Sequence, residues 1–175
     1  LLTVCADFNR FTRWARLSDA DPGYDNFLSL ISATTDAVIL SQQIVTIAEM
    51  EGLGSCYLGT VSYNAAEIAR LLKLPELTMP VACIALGYPA DEGEESERLP
   101  VEAVLYREEY PEMSDDRILE LYKAKDDYPQ NRKFVEENGK KSLAQVFTDI
   151  RYPRGLNEDV SVKLLEYIRD YGFNK

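Results

Sequence analysis

The longest regular pattern of apolar residues lies between Ala37 and Met50, a stretch with neither glycine nor proline. Its apolar residues recur at helical spacing, at Ala37, Leu40, Ile44, Ile47 and Ala48. Val38, Ile39 and Val45 carry apolar surface to other faces. A helix that is apolar on most sides is typical of a protein core or a subunit interface. We therefore predict a long helix here, with Asp36 as a candidate start and an earlier start left open.

A turn and a short strand are predicted to follow this helix. Gly52 and Gly54 supply a backbone that can enter left-handed conformations, which commonly end a helix. Ser55–Leu58 is short, apolar and rich in β-forming residues, so it predicts a strand. Gly59 has no side chain and would let a ligand or another segment approach the backbone closely.

The same patterns predict the remaining elements. Strands are expected at Leu1–Ala6 and at Val81–Leu86, the second starting at Pro80. A capping box is expected at Asn64–Glu67, at the start of a helix that runs as far as Pro75. Further helices are expected at Phe8–Leu17, Ser114–Lys125, Ser142–Phe147 and Glu158–Tyr171. Residues 126–175 are more polar and have few core residues of their own, which indicates that they lie on another surface.

Composition narrows the possible functions. The 175 residues are 46% hydrophobic, which predicts one folded domain rather than disorder. The net charge of −11 disfavours binding to nucleic acid and to anionic membrane surfaces. We see no apolar run long enough to span a bilayer.

Histidine and cysteine usage narrows the chemistry further. The chain contains no histidine, which excludes Ser-His-Asp and Cys-His catalytic sites and histidine-ligated metal within these residues; we predict no metal site. The cysteines at positions 5, 56 and 83 are odd in number and lie in apolar contexts. We interpret them as buried, reduced thiols of a cytoplasmic protein, with a redox pair as the alternative.

Three groups of motifs follow one another in register. They are Asp36-Ala37 with Gln42, Glu49, Gly52–Gly54 and Cys56–Gly59; Glu67–Pro75 with Met79–Ala90; and Arg98–Pro100 with Val104–Glu109. Together they resemble the FMN-dependent nitroreductase and NADPH-flavin oxidoreductase family over roughly the whole chain. The resemblance implies an α+β fold, in which a central, mainly antiparallel sheet is flanked by helices and followed by a C-terminal extension.

The resemblance also implies a domain organisation. Residues 1–110 would form the family's core, and residues 111–175 a helical extension that packs on the partner subunit of a homodimer, as in the larger, NADPH-using branch. Family members begin with a basic R-S-x-R stretch that grips the flavin phosphate. No such stretch precedes Leu1, so we expect the sequence to lack the family's first segment.

By the same resemblance, the end of the predicted strand holds FMN. Tyr57 would lie against the cofactor, and the backbone N–H groups of Leu58, Gly59 and Thr60 would stabilise negative charge on the reduced ring. The family often has a second glycine where this chain has Thr60. We therefore expect the backbone there to be held differently.

Three basic residues are candidates for phosphate recognition. The resemblance places Arg98 on the flavin phosphate, because a guanidinium can grip phosphate with two hydrogen bonds. The family often has a second basic residue two positions earlier, where Ser96 stands here, so the grip would be weaker. Arg132 and Lys133 are candidates for the 2′-phosphate of NADPH; the alternative is that both are exposed surface charges.

The resemblance therefore implies an FMN-dependent NAD(P)H oxidoreductase that reduces nitroaromatics, quinones or flavins. In such enzymes the flavin carries the electrons and the protein positions it. The alternative from another class is a non-catalytic, flavin-free dimerising or binding protein on the same fold. Flavin content of the purified protein distinguishes the two hypotheses.

Overall fold

The computed structural model describes residues 1–91, 93 and 97–175 and divides the chain into two compact units. The first unit comprises Leu1–Asp91 and Glu158–Lys175, and the second unit comprises Glu92–Asn157. The last residues of the chain thus belong to the first unit, whereas the family resemblance implies one extension over all of 111–175. The packing of that extension on a partner subunit stays a prediction.

Three antiparallel strands form the sheet of the first unit. They are β1 (Leu2–Asp7), β2 (Gly54–Leu58) and β3 (Thr78–Gly87), in the order β1-β3-β2. Leu58 lies opposite Cys83 in the register of β2 and β3. The central strand β3 is buried or half-buried over nearly its whole length, as its continuous apolar run predicts.

A bulge lets the central strand accommodate a proline. The prediction that this strand starts at Pro80 is wrong, because β3 begins at Thr78 and Pro80 lies inside it. The register with β1 shifts at this point, since Val4 lies opposite Ala82 but Cys5 lies opposite Pro80. Proline cannot donate a ladder hydrogen bond and is tolerated in sheets at bulges and edges.

The long helix α2 (Phe27–Met50) starts earlier than Asp36, within the possibility that the sequence left open. The side chain of Asn26 caps it by accepting a hydrogen bond from the backbone N–H of Ser29 at 2.9 Å. Gly52 follows the helix with a φ of 79°, as predicted. Gly54 instead starts β2, and a methyl group added to it would lie 3.5 Å from the carbonyl oxygen of Gly87.

Two shorter helices complete the N-terminal part of the first unit. The predicted helix at Phe8–Leu17 is confirmed as α1 (Asn9–Leu17), and the helix before Pro75 is confirmed as α3 (Ala65–Leu72). The predicted capping box at the start of α3 is wrong. The side chain of Asn64 makes no cap bond and instead donates to the carbonyl oxygen of Thr60 at 3.0 Å, because a short 3₁₀ turn precedes the helix.

From Asp115 onward the second unit is mainly helical. It contains α4 (Asp115–Asp127), α5 (Pro129–Glu137), α6 (Leu143–Gln145), a π-helical segment at Val146–Arg151 that continues α6, and the start of α7 (Arg154–Asp170). The predicted start of α4 is confirmed, because the Ser114 hydroxyl accepts a hydrogen bond from the backbone N–H of Arg117 at 3.3 Å.

The core of the first unit joins the sheet, α2, α3 and the end of α7. One cluster contains Ala6, Leu30, Ala33, Ala65, Ala69, Leu77, Tyr167, Ile168 and Phe173, and a second contains Val4, Ala37, Val45 and Ile84. The Tyr167 hydroxyl donates to the carbonyl oxygen of Thr78 at 2.9 Å within the first cluster. Burial raises the pKa of this hydroxyl above its ordinary value, which keeps it protonated as a donor.

The helix α2 is also the one described helix that is long and apolar enough to cross a bilayer by length and composition. The prediction that no apolar run reaches that length is therefore wrong. The core helix of a water-soluble protein passes the same test, and α2 contacts all three strands of the sheet. Many of its apolar side chains are exposed in the isolated chain, among them Leu28, Ile39 and Met50.

The three cysteines are free thiols but are not all buried as predicted. Cys83 is buried, Cys5 is half-buried and Cys56 is exposed. Cys83 Sγ lies 3.3 Å from the Thr3 hydroxyl on the neighbouring strand. Burial raises the pKa of the Cys5 thiol, and the charges of Cys83 and Asp7 add to this effect, so Cys5 is disfavoured as a nucleophile.

Candidate functional site

The structure places the first four predicted site residues together at the end of β2. Tyr57 and Leu58 are the last residues of the strand, and Gly59 and Thr60 form the turn that follows. The carbonyl oxygen of Thr60 accepts from the backbone N–H of Tyr63 at 3.1 Å, which closes the turn. A methyl group built on Gly59 would meet no atom within 4 Å, so the space over this backbone is open.

Thr60 has an unusual backbone conformation at this turn. Its φ of 63° lies in the left-handed region, which glycine enters readily and a β-branched residue rarely does. The threonine thus takes the kind of conformation that glycine favours. Such outliers persist only where the surrounding structure holds them, and they concentrate at functional sites.

Tyr57 is anchored to α2 by Ser41, a residue that none of the sequence motifs indicates. Its hydroxyl donates to the Ser41 hydroxyl oxygen at 3.2 Å, and Ser41 in turn donates to the carbonyl oxygen of Val38 at 2.8 Å. Ser41 is only 1% exposed, whereas Tyr57 is 44% exposed. Nothing in the helical pattern around Ser41 signals this contact, because its partner lies 16 residues away in the sequence.

The three predicted basic residues belong to the second unit. Arg98 is exposed and donates to the carbonyl oxygen of Glu97 at 3.4 Å, while Ser96 lies outside the described residues. Arg132 pairs with Asp127 at 2.6 Å, and Lys133 lies 3.7 Å from Glu137.

The Asp127 carboxylate forms ion pairs with two basic side chains. Hydrogen bonds from the side chains of Lys123 and Arg132 lower its pKa below the ordinary value of an aspartate. Arg132 therefore already has an anionic partner on its own unit. The interpretation of Arg132 and Lys133 as exposed surface charges fits this geometry, and a role in binding a phosphate stays a prediction.

Two grooves lie away from these residues. One, of about 650 Å³, lies in the first unit beside α1, β1 and α2 and is lined by Phe8, Phe11, Trp14 and Leu40 among others. The other, of about 560 Å³, lies in the second unit. Neither is lined by any of the predicted site residues, and the four residues at the end of β2, Tyr57–Thr60, are exposed.

Comparison with known proteins identifies the family. Residues 31–88 match the model of the nitroreductase family, a range that contains most of α2, all of β2 and the turn after it. The chain is 30% identical over 173 residues to a Cr(VI) reductase from a Pseudomonas species, covering 97% of this chain and 68% of that protein. The chain belongs to the nitroreductase family. The resemblance to this family that the sequence motifs indicate is thereby confirmed.

Two further relatives support the fold of this nitroreductase-family chain. It is 32% identical over 160 residues to an NAD(P)H-dependent FMN reductase of Bacillus subtilis, covering 87% of this chain and 64% of that protein. The crystal structure of an oxidoreductase from Bacteroides fragilis superposes with a TM-score of 0.96 at 42% identity, covering 99% of this chain and 70% of that one. The predicted α+β fold, an antiparallel sheet flanked by helices, is confirmed.

The chain spans only part of its relatives. It covers between 64% and 70% of the three proteins just named. The activity, substrates and partners of the whole protein are therefore proposals.

Proposed function

We propose that this chain is part of an FMN-dependent NAD(P)H oxidoreductase of the cytoplasm that reduces small electron acceptors such as nitroaromatics, quinones or flavins. The observation that carries the proposal is the match of residues 31–88 to the nitroreductase family, because this range holds the turn after β2. The similarity to an NAD(P)H-dependent FMN reductase supports FMN and a pyridine nucleotide as cofactors.

The residues present at the turn fit a bound flavin. The open space over Gly59 allows a planar ring to approach the backbone, and the half-exposed Tyr57 offers an aromatic surface beside it. The backbone N–H groups of Leu58, Gly59 and Thr60 are the donors we assign to the flavin ring. Donors fixed by the backbone stabilise developing negative charge without reorganising.

When bound, FMN would supply the two-electron chemistry, accepting hydride equivalents from NAD(P)H and passing them to the acceptor. The protein's part is to hold the ring and fix its orientation. Arg98 is the phosphate ligand that we propose, because its exposed guanidinium can make paired hydrogen bonds with phosphate oxygens.

For the pyridine nucleotide, Arg132 and Lys133 stay candidates for the 2′-phosphate. Arg132 would then exchange the Asp127 carboxylate for a phosphate, which carries more negative charge. This exchange predicts a preference for NADPH that weakens as salt concentration rises.

We also propose a homodimer. Only 28% of the apolar stretch of α2 is buried, and the exposed side chains of Leu28, Ile39 and Met50 leave more apolar surface on this helix than single exposed residues account for. A second copy of the chain would cover this surface. Light scattering of the purified protein tests this, and a monomer at micromolar concentration would refute it.

The function is tested by an absorbance spectrum of the purified full-length protein, recorded before and after FMN is added, with the intact mass taken on the same sample. Flavin absorption at about one FMN per subunit, bleached by NADH or NADPH, supports the proposal. A protein of verified mass that takes up no FMN would refute it and favour the flavin-free binding protein.

A pair of matched variants tests the phosphate ligand. Arg98→Ala is expected to raise the dissociation constant for FMN about tenfold, since hydrogen bonds to charged groups contribute roughly 1.5–3 kcal/mol and exposure reduces this. Arg70→Ala, which removes an exposed arginine from α3, is the control and should leave FMN binding unchanged. Equal effects of the two variants on FMN binding would show that Arg98 does not bind the flavin phosphate.

A further inference from the structure

The hydrogen bond between Ser41 and Tyr57 joins the long helix to the strand that ends at the candidate flavin site. Ser41 donates its hydroxyl proton to the carbonyl oxygen of Val38 within α2, so its oxygen is left to accept. The Tyr57 hydroxyl fills that role at 3.2 Å. Ser41 is almost fully buried, so water does not compete well for this acceptor.

The position of Tyr57 makes this contact relevant to the turn. Side chains alternate between the two faces of a strand, so Tyr57 points to the α2 side of β2 while its neighbour Leu58 points to the other. The Gly59–Thr60 turn begins two residues after Tyr57. Beyond Leu58 the turn has left the ladder with β3, because the pairing of the two strands ends at Leu58 and Cys83.

We propose that Ser41 is a positioning residue of the flavin site. By accepting a hydrogen bond from the Tyr57 hydroxyl, it fixes the end of β2 against α2 and so holds the backbone N–H groups of Gly59 and Thr60 in place. Ser41 does not itself contact the flavin. The bond also directs the Tyr57 hydroxyl proton towards the helix, which leaves the aromatic ring as the part of the side chain available to a ligand. This inference rests on the proposed function.

The structure offers a matched control on the same helix. Ser32 also donates its hydroxyl proton to a backbone carbonyl of α2, that of Leu28 at 3.0 Å, but Ser32 is exposed and its bond stays within the helix. Ser32→Ala therefore removes the same chemical group without touching the strand. Any effect of Ser41→Ala beyond that of Ser32→Ala reports the contact with Tyr57.

The experiment uses the full-length protein and the variants Ser41→Ala, Tyr57→Phe, their combination and Ser32→Ala. Amide hydrogen exchange at Gly59 and Thr60 is measured without FMN, and the dissociation constant and reduction potential of bound FMN are measured with it. We expect each single variant to speed exchange and to weaken FMN binding by about threefold to tenfold, the effect of one neutral hydrogen bond, and to shift the potential. The double variant should add nothing further, since either change removes the same bond.

Two results would overturn the inference: exchange at the turn and FMN binding unchanged in Ser41→Ala relative to Ser32→Ala, or effects of the two single variants that simply add. Melting temperatures of all variants identify any that fail to fold, and Tyr57→Phe, which leaves the helix intact, then decides alone. A wild-type protein that binds no FMN would contradict the proposed function, while exchange in the flavin-free protein would still decide the role of Ser41.

Discussion

Thr60→Gly is expected to stabilise the protein, because glycine adopts the φ of 63° found at this position without steric conflict. A left-handed conformation costs an ordinary residue about 1–2 kcal/mol relative to the right-handed one. Glycine avoids this energy but loses about 0.5–1 kcal/mol more conformational entropy on folding. The difference predicts an increase of about 0.5–1 kcal/mol in the free energy of unfolding.

For a chain of this size, such a change raises the melting temperature by about 1–4 °C. Differential scanning calorimetry of wild type and Thr60→Gly measures it. The matched control is Thr46→Gly in the interior of α2, where the backbone is helical and glycine should lower the melting temperature.

The reasoning would be refuted if Thr60→Gly melted at or below the wild-type temperature while the control behaved as expected. The threonine side chain would then contribute more to the folded state than its backbone conformation costs.

Three further predictions concern stability. Tyr167→Phe should lower the free energy of unfolding by about 1 kcal/mol at pH 7, because the Thr78 carbonyl loses its donor. Since burial raises the pKa of Tyr167, the free energy of unfolding of the wild type should also fall as pH rises above about 10. Denaturant titrations should show that this decline is weaker in the variant. Gly172→Ala should destabilise by more than 1 kcal/mol in the same titration, because φ is 91° and the added methyl would meet Leu77 at 3.4 Å. Asn26→Ala should lower the free energy of unfolding by about 1 kcal/mol, because it removes the cap of α2. The melting temperature should fall accordingly, and an unchanged melting temperature would show that the cap is dispensable.

The elements that the sequence predicted well are those specified by local rules. The apolar spacing of α2 and the glycine after it identify that helix and its end, since residue 52 is one of the few at which the backbone turns left-handed. The start of α2 at Phe27 is set by the cap that the Asn26 side chain forms, which the apolar spacing does not indicate. The capping box failed at Asn64 because its side chain binds the preceding turn instead of the helix.

The features of the candidate site depend on contacts that no local pattern encodes. Ser41 looks like any small residue of a core helix until β2 brings the Tyr57 hydroxyl to it. The left-handed conformation of Thr60 contradicts the preference of threonine, so it follows from the turn around it and not from the residue type. The motifs identified the family and the position of the site, whereas the geometry within the site required the structure.

The division of the first unit into two separated segments has a consequence for how the protein is made. Leu1–Asp91 leaves the ribosome early, but the core cluster around Ala6 and Leu30 also needs Ile168 and Phe173, which are translated much later. The sheet and α2 can therefore form while the core remains open on one side. Contacts between segments so distant in sequence slow folding and leave apolar surface exposed in the meantime. The nascent chain is consequently a candidate client for chaperones until residues 158–175 have been synthesised.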